Sequence, residues 1–213
     1  MSMSRSKPHN ILNSNVISEA EKYLSKQDRK LAKLIQHVGP CTIDVSSRPK
    51  FEMLISAVIS QQLSGAASTT IFNRLIESAG GKTNLEKRLS NLSFDDIRSC
   101  GVSTTKAKSI LQIAELVISK QLDLESLSNT DDEDVYRILT AITGVGPWTV
   151  QMFLMFALRR TDIFSPGDAG LRRGLMRLYG MQDKPNEADI IAISDKWRPY
   201  RTVASWYLWR LSE

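Results

Sequence analysis

Gly144-Val145-Gly146 lies between two apolar runs, a turn in which two of three residues lack a Cβ. Glycine permits a positive φ and lets another backbone come close. Immediately beyond, Pro147-Trp148-Thr149 opens a new helix, whose first N–H groups lack intrahelical acceptors and carry partial positive charge. A phosphate group suits such a turn, gripped through backbone N–H groups alone. Taken by itself, the Gly-x-Gly is equally well a helix–helix corner, because helices commonly end on glycine. Further on, Phe164-Ser165-Pro166-Gly167-Asp168 runs from a loop into a helix, with Asp168 at or near the N-cap. Aspartate favours that position for capping alone. A carboxylate fixed there can also face a developing positive charge.

The elements that must hold these groups are helical almost throughout. Residues 1–14, rich in Ser and Asn and carrying Arg5 and Lys7, read as a disordered basic tail. Apolar residues then recur with helical period over 16–24, 28–37, 51–62, 65–79, 93–100, 104–119, 130–141, 149–158, 168–179, 186–197 and 200–211. Gly39-Pro40, Gly80-Gly81 and Gly101 mark breaks. Convincing strand alternation is absent, so the fold class is all-α. A weak internal echo links Gly101-Val102 before Lys106-Ala107 to Gly144-Val145 before Thr149-Val150. Ser103 stands where the second turn has Gly146, so the first reads as structural. The acidic Asp131-Asp132-Glu133-Asp134 suits the N-cap and first turn of the helix leading into Gly144.

A chain of 213 residues forms one domain or two small lobes, and 42% hydrophobic against 24% charged residues is an ordinary globular composition. The net charge of +5 and pI near 9.2 favour a polyanionic partner without proving one. Two cysteines, Cys41 and Cys100, suit a reducing compartment and cannot make a disulfide framework. With only His9 and His37, neither a zinc site nor a histidine relay is expected. No apolar run approaches the roughly 20 residues of a membrane span, and residues 1–10 lack the apolar core of a secretory signal. An intracellular protein with no membrane partner is expected.

Several segments together resemble the HhH-GPD superfamily of DNA glycosylases, most closely its alkyladenine (3-methyladenine) branch. They are the hairpin with its Trp148-Thr149 exit, the Pro166-Gly167-Asp168 that follows, and Ile59-Ser60-Gln61-Gln62-Leu63-Ser64-Gly65-Ala66-Ala67. Arg98–Ala107 resembles the branch's mid-chain helix-turn-helix, and Trp197–Arg210 its closing helix. The similarity runs from about residue 20 to 211, in order and spacing. It implies a glycosylase domain over residues 15–213, made of two helical lobes with a cleft between them. The central lobe would be inserted at about residues 50–135.

The resemblance also implies roles. Asp168 becomes the catalytic aspartate, stabilising positive charge on a sugar as its base departs. Gly144, Gly146 and Thr149 hold a phosphate, Leu63 fills the gap left by a flipped nucleotide, and Gln62 and Ser64 face the DNA. Relatives that also cut the backbone carry a lysine two residues past the second glycine. Trp148 stands there, so the activity is monofunctional and leaves an abasic site. Trp148 walls a base pocket or is a core tryptophan; both readings stand. Carbonyls of Thr140, Ile142 and Val145 match the family's monovalent-cation ligands, here Na+ or K+. No other cofactor is expected, and two cysteines cannot hold the four-cysteine iron–sulfur cluster of some relatives. The expected partner is double-stranded DNA with alkylated bases or abasic sites, bound by a monomer, nuclear if the source is eukaryotic. The alternative is a protein of this fold that binds damaged or abasic DNA and excises little, kept open by Ser64 and by Ser165 where the family has proline.

Overall fold

The computed structural model describes residues 11–44 and 48–212. Among them the chain forms twelve α-helices, two short 3-10 turns and no strand, the only β-type pairing being an isolated bridge between Ile11 and Arg160. The chain divides into two compact units. Of the described residues, one unit holds 48–153; the other combines 11–44 with 154–212. The hairpin therefore belongs to the inserted unit, which reaches Phe153 where the sequence suggested an end near residue 135.

In the inserted unit, α3 (Lys50–Ser60), α4 (Gly65–Ser78), α5 (Leu85–Ser90) and α6 (Phe94–Ser99) precede α7 (Thr104–Ile118). A 3-10 turn (Ser126–Asn129), α8 (Asp132–Thr140) and α9 (Pro147–Phe156) follow. Helix α7 is central, packing on α3, α5 and α6 through Ala107, Ile110, Ile113 and Ala114, a stripe at helical spacing. Helix α3 is mostly apolar and largely buried, with Leu54, Ile55 and Val58 wholly enclosed and the buried Glu52 paired to Lys82. The acidic run behaves as expected: Asp131 is the N-cap of α8 and Asp132, Glu133 and Asp134 form its first turn. Ser103 caps α7 by accepting from the Lys106 N–H.

The second unit comprises α1 (Ser14–Gln27), α2 (Arg29–Val38), α10 (Ala169–Tyr179), α11 (Glu187–Ser194), a 3-10 turn (Asp195–Trp197) and α12 (Arg201–Ser212). Helix α12 buries Thr202 to Leu208 without a break. It crosses α10 where a Cβ on Gly174 would lie 2.2 Å from the Leu208 carbonyl oxygen, so only glycine permits that approach. Asp28 ties the unit together. Its Oδ1 caps α2 by accepting from the N–H groups of Lys30 and Leu31, and its Oδ2 accepts from the Tyr179 hydroxyl and Trp197 Nε1.

The expected tail needs shortening. Residues 1–10, including His9, lie outside the described residues. Ile11 to Ser14 are built into the second unit: Leu12 is buried and its N–H donates to the Arg159 carbonyl, while Asn13 caps α1. Leu12 is the apolar group that decides this, since its burial offsets the entropy of fixing the backbone around it.

Candidate functional site

The hairpin turn is seated by helix α7. Ser109, fully buried, donates its hydroxyl to the Thr143 carbonyl at 2.6 Å, with the Thr105 carbonyl at 3.0 Å. Gln112 accepts from the Thr143 N–H at 3.1 Å. Gly144 has φ +79, and a Cβ there would lie 2.4 Å from Ser109 Oγ and 3.1 Å from Thr105 Cγ2. Its bareness thus serves packing against α7, while its outer side is exposed. Gly146 differs: its φ is ordinary, and nothing lies within 4 Å of where its Cβ would stand. Of the two glycines, Gly146 is the one whose missing side chain leaves open space for a ligand.

The segment after α3 forms a second turn. Gln61 has φ −50 and ψ 124, Gln62 has φ 56, and the Leu63 N–H donates to the Ser60 carbonyl at 3.2 Å. These are type II turn values, which normally call for glycine at the left-handed position. Lys106 Nζ donates to the carbonyls of Ile59 at 2.8 Å and Gln61 at 2.7 Å. Burial lowers the pKa of that ammonium. Gln61 Nε2 donates to the Gly144 carbonyl at 2.9 Å and to Thr149 Oγ1 at 2.8 Å. Beyond the turn Leu63 is 40% exposed, unlike a core leucine, and Gln62 and Ser64 are exposed too. The Ser64 hydroxyl caps α4 by accepting from the Ala67 N–H at 3.3 Å.

Thr149 does not fit the role expected of it. It is 1% exposed, turned inward from the first turn of α9, and its hydroxyl is engaged by Gln61. It braces the hairpin from within and does not present a surface to a phosphate. Trp148, its neighbour, is half-buried, and Thr140 is exposed at the end of α8. Ile142 and Val145 are both buried, and the Ile142 carbonyl accepts from the Val145 N–H at 3.0 Å.

In the second unit, Asp168 is held from two sides. Its N–H donates to the Ser165 carbonyl at 3.0 Å, closing a turn with Pro166 and Gly167 in the middle. Proline's fixed φ suits the second position of such a turn, so moving the proline from 165 to 166 leaves the turn intact. Ser165 itself is fully buried. Asp168 Oδ1 accepts from the Leu171 N–H at 2.8 Å, capping α10, and from Trp209 Nε1 at 3.1 Å. Trp209 is stacked on Phe156, ring centroids 5.9 Å apart, and Gly170 leaves room for its indole: a Cβ there would be 3.0 Å from Trp209 Cδ1. A carboxylate fixed by donors from two helices offers a charge of set position, as electrostatic catalysis requires.

The inserted unit therefore unites Gln62, Leu63 and Ser64 with Gly144 and Gly146 through Gln61, and the second unit holds Asp168. Gln61, Ser109, Lys106 and Trp209 brace these sites from behind, and their residue types carry little sign of it. A glutamine beside an exposed one, a serine in an apolar stripe and a tryptophan in an aromatic cluster all read as ordinary. Among the described residues no helix is long and apolar enough to cross a membrane.

Comparison with known proteins accounts for the arrangement. Residues 55–199 match the model of the HhH-GPD superfamily base excision DNA repair protein. DNA-3-methyladenine glycosylase 1 of Schizosaccharomyces pombe is 35% identical over 204 residues, covering 92% of this chain and 88% of the relative. The alkylbase DNA glycosidase-like protein mag2 of the same yeast is 32% identical over 196 residues, covering 90% and 92%. The solved structure of the S. pombe 3-methyladenine DNA glycosylase Mag1 in complex with abasic DNA superimposes with a TM-score of 0.83 at 34% identity, covering 90% of this chain and 95% of that one. With a matching family model across most of its length and relatives this similar, the chain belongs to the HhH-GPD superfamily of base excision DNA repair proteins.

Proposed function

We propose that the protein is a monofunctional DNA glycosylase that flips alkylated purines, of the 3-methyladenine or 7-methylguanine kind, and hydrolyses their N-glycosidic bond. It leaves an abasic site and acts as a monomer on double-stranded DNA, in the nucleus if the source is eukaryotic. The observation that carries this reading is Asp168, a carboxylate held by Leu171 N–H and Trp209 Nε1 at the mouth of α10. As the C1′–N bond breaks, its electron pair leaves with the base and positive charge grows on the sugar. Asp168 stabilises that charge while water forms the new C1′–O bond and gives up a proton.

Supporting roles follow from the geometry. The open side of Gly146 and the exposed side of Gly144 admit a phosphate to the turn, where backbone N–H groups grip DNA of any sequence. Leu63, exposed at the end of its turn, fills the space of the flipped nucleotide, with Gln62 and Ser64 alongside in the groove. Trp148 offers an indole face to a cationic alkylated purine. It occupies the position at which lyase relatives carry lysine, so no Schiff base forms. A singly charged cation such as Na+ or K+ would be held by carbonyls of Thr140, the last residue of α8, and of Ile142 and Val145 just beyond it. An uncharged all-oxygen donor set beside the negative end of a helix suits such an ion, which would offset phosphate charge when bound. The Ile142 carbonyl would contribute its second lone pair, the first being taken by the Val145 N–H.

The test is release of methylated bases from alkylated DNA by the purified protein and by Asp168→Asn. Asparagine keeps the oxygen that accepts from Leu171 and Trp209, so fold and abasic-DNA affinity should persist while excision drops by about a hundredfold or more. An active asparagine variant removes Asp168 from catalysis. A wild type that binds abasic DNA and releases nothing establishes the second reading, which Ser64 favours: its short, neutral side chain is spent on capping α4 and adds little grip.

A further inference from the structure

We infer that Gln61 is a positioning residue that couples the phosphate-gripping hairpin to the turn presenting Leu63. The inference rests on the reading of Leu63 as the gap-filling side chain. Gln61 is half-buried, and its side-chain amide can be oriented in only one sense. A backbone carbonyl accepts and never donates, so the atom facing the Gly144 oxygen at 2.9 Å must be Nε2. Both of its N–H groups are then used, one on Gly144 and one on Thr149 Oγ1 at 2.8 Å. These two acceptors lie on either side of Gly146. The amide therefore clasps the hairpin across the residue whose open side faces the ligand.

The other end of the strut is the backbone of the Ser60–Leu63 turn. Gln62 adopts φ 56, a conformation that costs a non-glycine residue energy and persists only where the surroundings impose it. Lys106 imposes part of it by fixing the carbonyls of Ile59 and Gln61. The Gln61 side chain imposes the rest, anchoring the second residue of the turn to the hairpin. Thr149, buried and turned away from any phosphate, has its role here as the receiving post of the strut. A phosphate seated on the hairpin and a leucine inserted into the stack are thereby held at a fixed spacing. Without the strut the turn is free to relax Gln62 to an ordinary φ and carry Leu63 with it.

The experiment compares affinities for an undamaged duplex and for the same duplex carrying a tetrahydrofuran abasic analogue, at one salt concentration. The proteins are wild type, Gln61→Met, Leu63→Ala, the double variant and Thr149→Val. Methionine keeps the length of glutamine and removes both donors; valine keeps the shape of threonine and removes the acceptor. The expected result is a preference for abasic over undamaged DNA that falls about tenfold in Gln61→Met, the scale of two ordinary hydrogen bonds. Affinity for undamaged DNA stays within about twofold, because Ser109 still seats the hairpin. Thr149→Val gives a smaller loss in the same direction, and Leu63→Ala added to Gln61→Met changes nothing further. Undiminished preference in Gln61→Met while Leu63→Ala loses it overturns the strut alone, as do losses that simply add. A Leu63→Ala protein that discriminates as well as wild type overturns the wedge reading and the strut with it. Should Gln61→Met fail to fold by thermal melting, Thr149→Val decides on the same criteria.

Discussion

Replacing Gly144 by alanine should damage the fold before it damages any ligand contact. The added methyl carbon would stand 2.4 Å from Ser109 Oγ and 3.1 Å from Thr105 Cγ2, and φ +79 is strained for any residue with a Cβ. The left-handed conformation costs about 1–2 kcal/mol. Overpacking against a side chain that cannot swing away adds about 1–3 kcal/mol, since Ser109 is fully buried and bonded to the Thr143 carbonyl. The sum, about 2–5 kcal/mol, corresponds to a fall in Tm of roughly 4–20 °C for a chain of this size. The assay is thermal or urea unfolding of Gly144→Ala, Ser109→Ala and the double variant. Ser109→Ala alone loses a hydrogen bond worth about 1 kcal/mol and should destabilise wild type. In the Gly144→Ala background the same change removes the closest clash and should stabilise. That reversal of sign is the diagnostic, because only direct contact between the two positions produces it. Additive destabilisation, or a Gly144→Ala protein as stable as wild type, would falsify the account of the hairpin's seat.

Gly146→Leu should be the converse case, with stability within about 0.5 kcal/mol of wild type and affinity for duplexes of every sequence down by about tenfold as bulk blocks phosphate approach. Equal DNA affinity in the folded variant, read by fluorescence anisotropy at fixed salt, removes the hairpin from the interface. Acid sensitivity should centre on Asp28: desolvation raises its pKa, but hydrogen bonds from Tyr179, Leu31, Trp197 and Lys30 outweigh it, and the folded value is lowered. A depressed folded pKa means stability fully present above the unfolded value of about 3.9 and lost as pH falls through the folded one. Asp28→Asn should accordingly flatten the decline of Tm below about pH 4; an unchanged acid limb assigns it to other carboxylates.

Much of the architecture is readable from periodicity and caps. Long amphipathic segments such as α7 and α10 show their faces, and Ser103, Asp168 and Asn186 each cap the helix that follows, as their residue types suggest. Helix α5 escapes notice because its six residues give too little periodicity, and Asn84 before it is left-handed without a side-chain cap. Its Leu85 and Leu89 form a helix because α7 offers them a surface, which is a tertiary cause. The fate of Leu12 is tertiary in the same way. Within the sites, residue type signals where an unusual backbone, an exposed apolar group or a helix cap is needed, as at Gly144, Leu63 and Asp168. It does not signal which partner a polar side chain chooses. Thr149 could face a phosphate or an amide with equal chemical ease, and only the position of Gln61 decides.

The chemistry-bearing turns share a construction that bears on how the protein meets DNA. Each lies in a connection between helices, and each is fixed by side chains rooted in a helix that does not flank it. Ser109 and Gln112 of α7 hold Thr143, Lys106 of α7 holds the carbonyls beside Gln62, and Trp209 of α12 holds Asp168. A turn of a few residues left to itself samples many conformations, and ordering it on binding costs free energy that would weaken the complex. Here that ordering is completed during folding. One consequence is that residues without any ligand contact control the sites, so substitutions on the inner face of α7 should impair DNA recognition as surely as substitutions at the surface. Another is that charge plays a smaller part than geometry in the two turns of the inserted unit. Gln62, Leu63, Ser64, Gly144 and Gly146 are all neutral, and the Lys106 ammonium beside them is spent on backbone carbonyls. The basic character of the chain can draw a polyanion near, but under the roles proposed above its placement would rest on peptide N–H groups, one leucine and the amide that fixes their spacing.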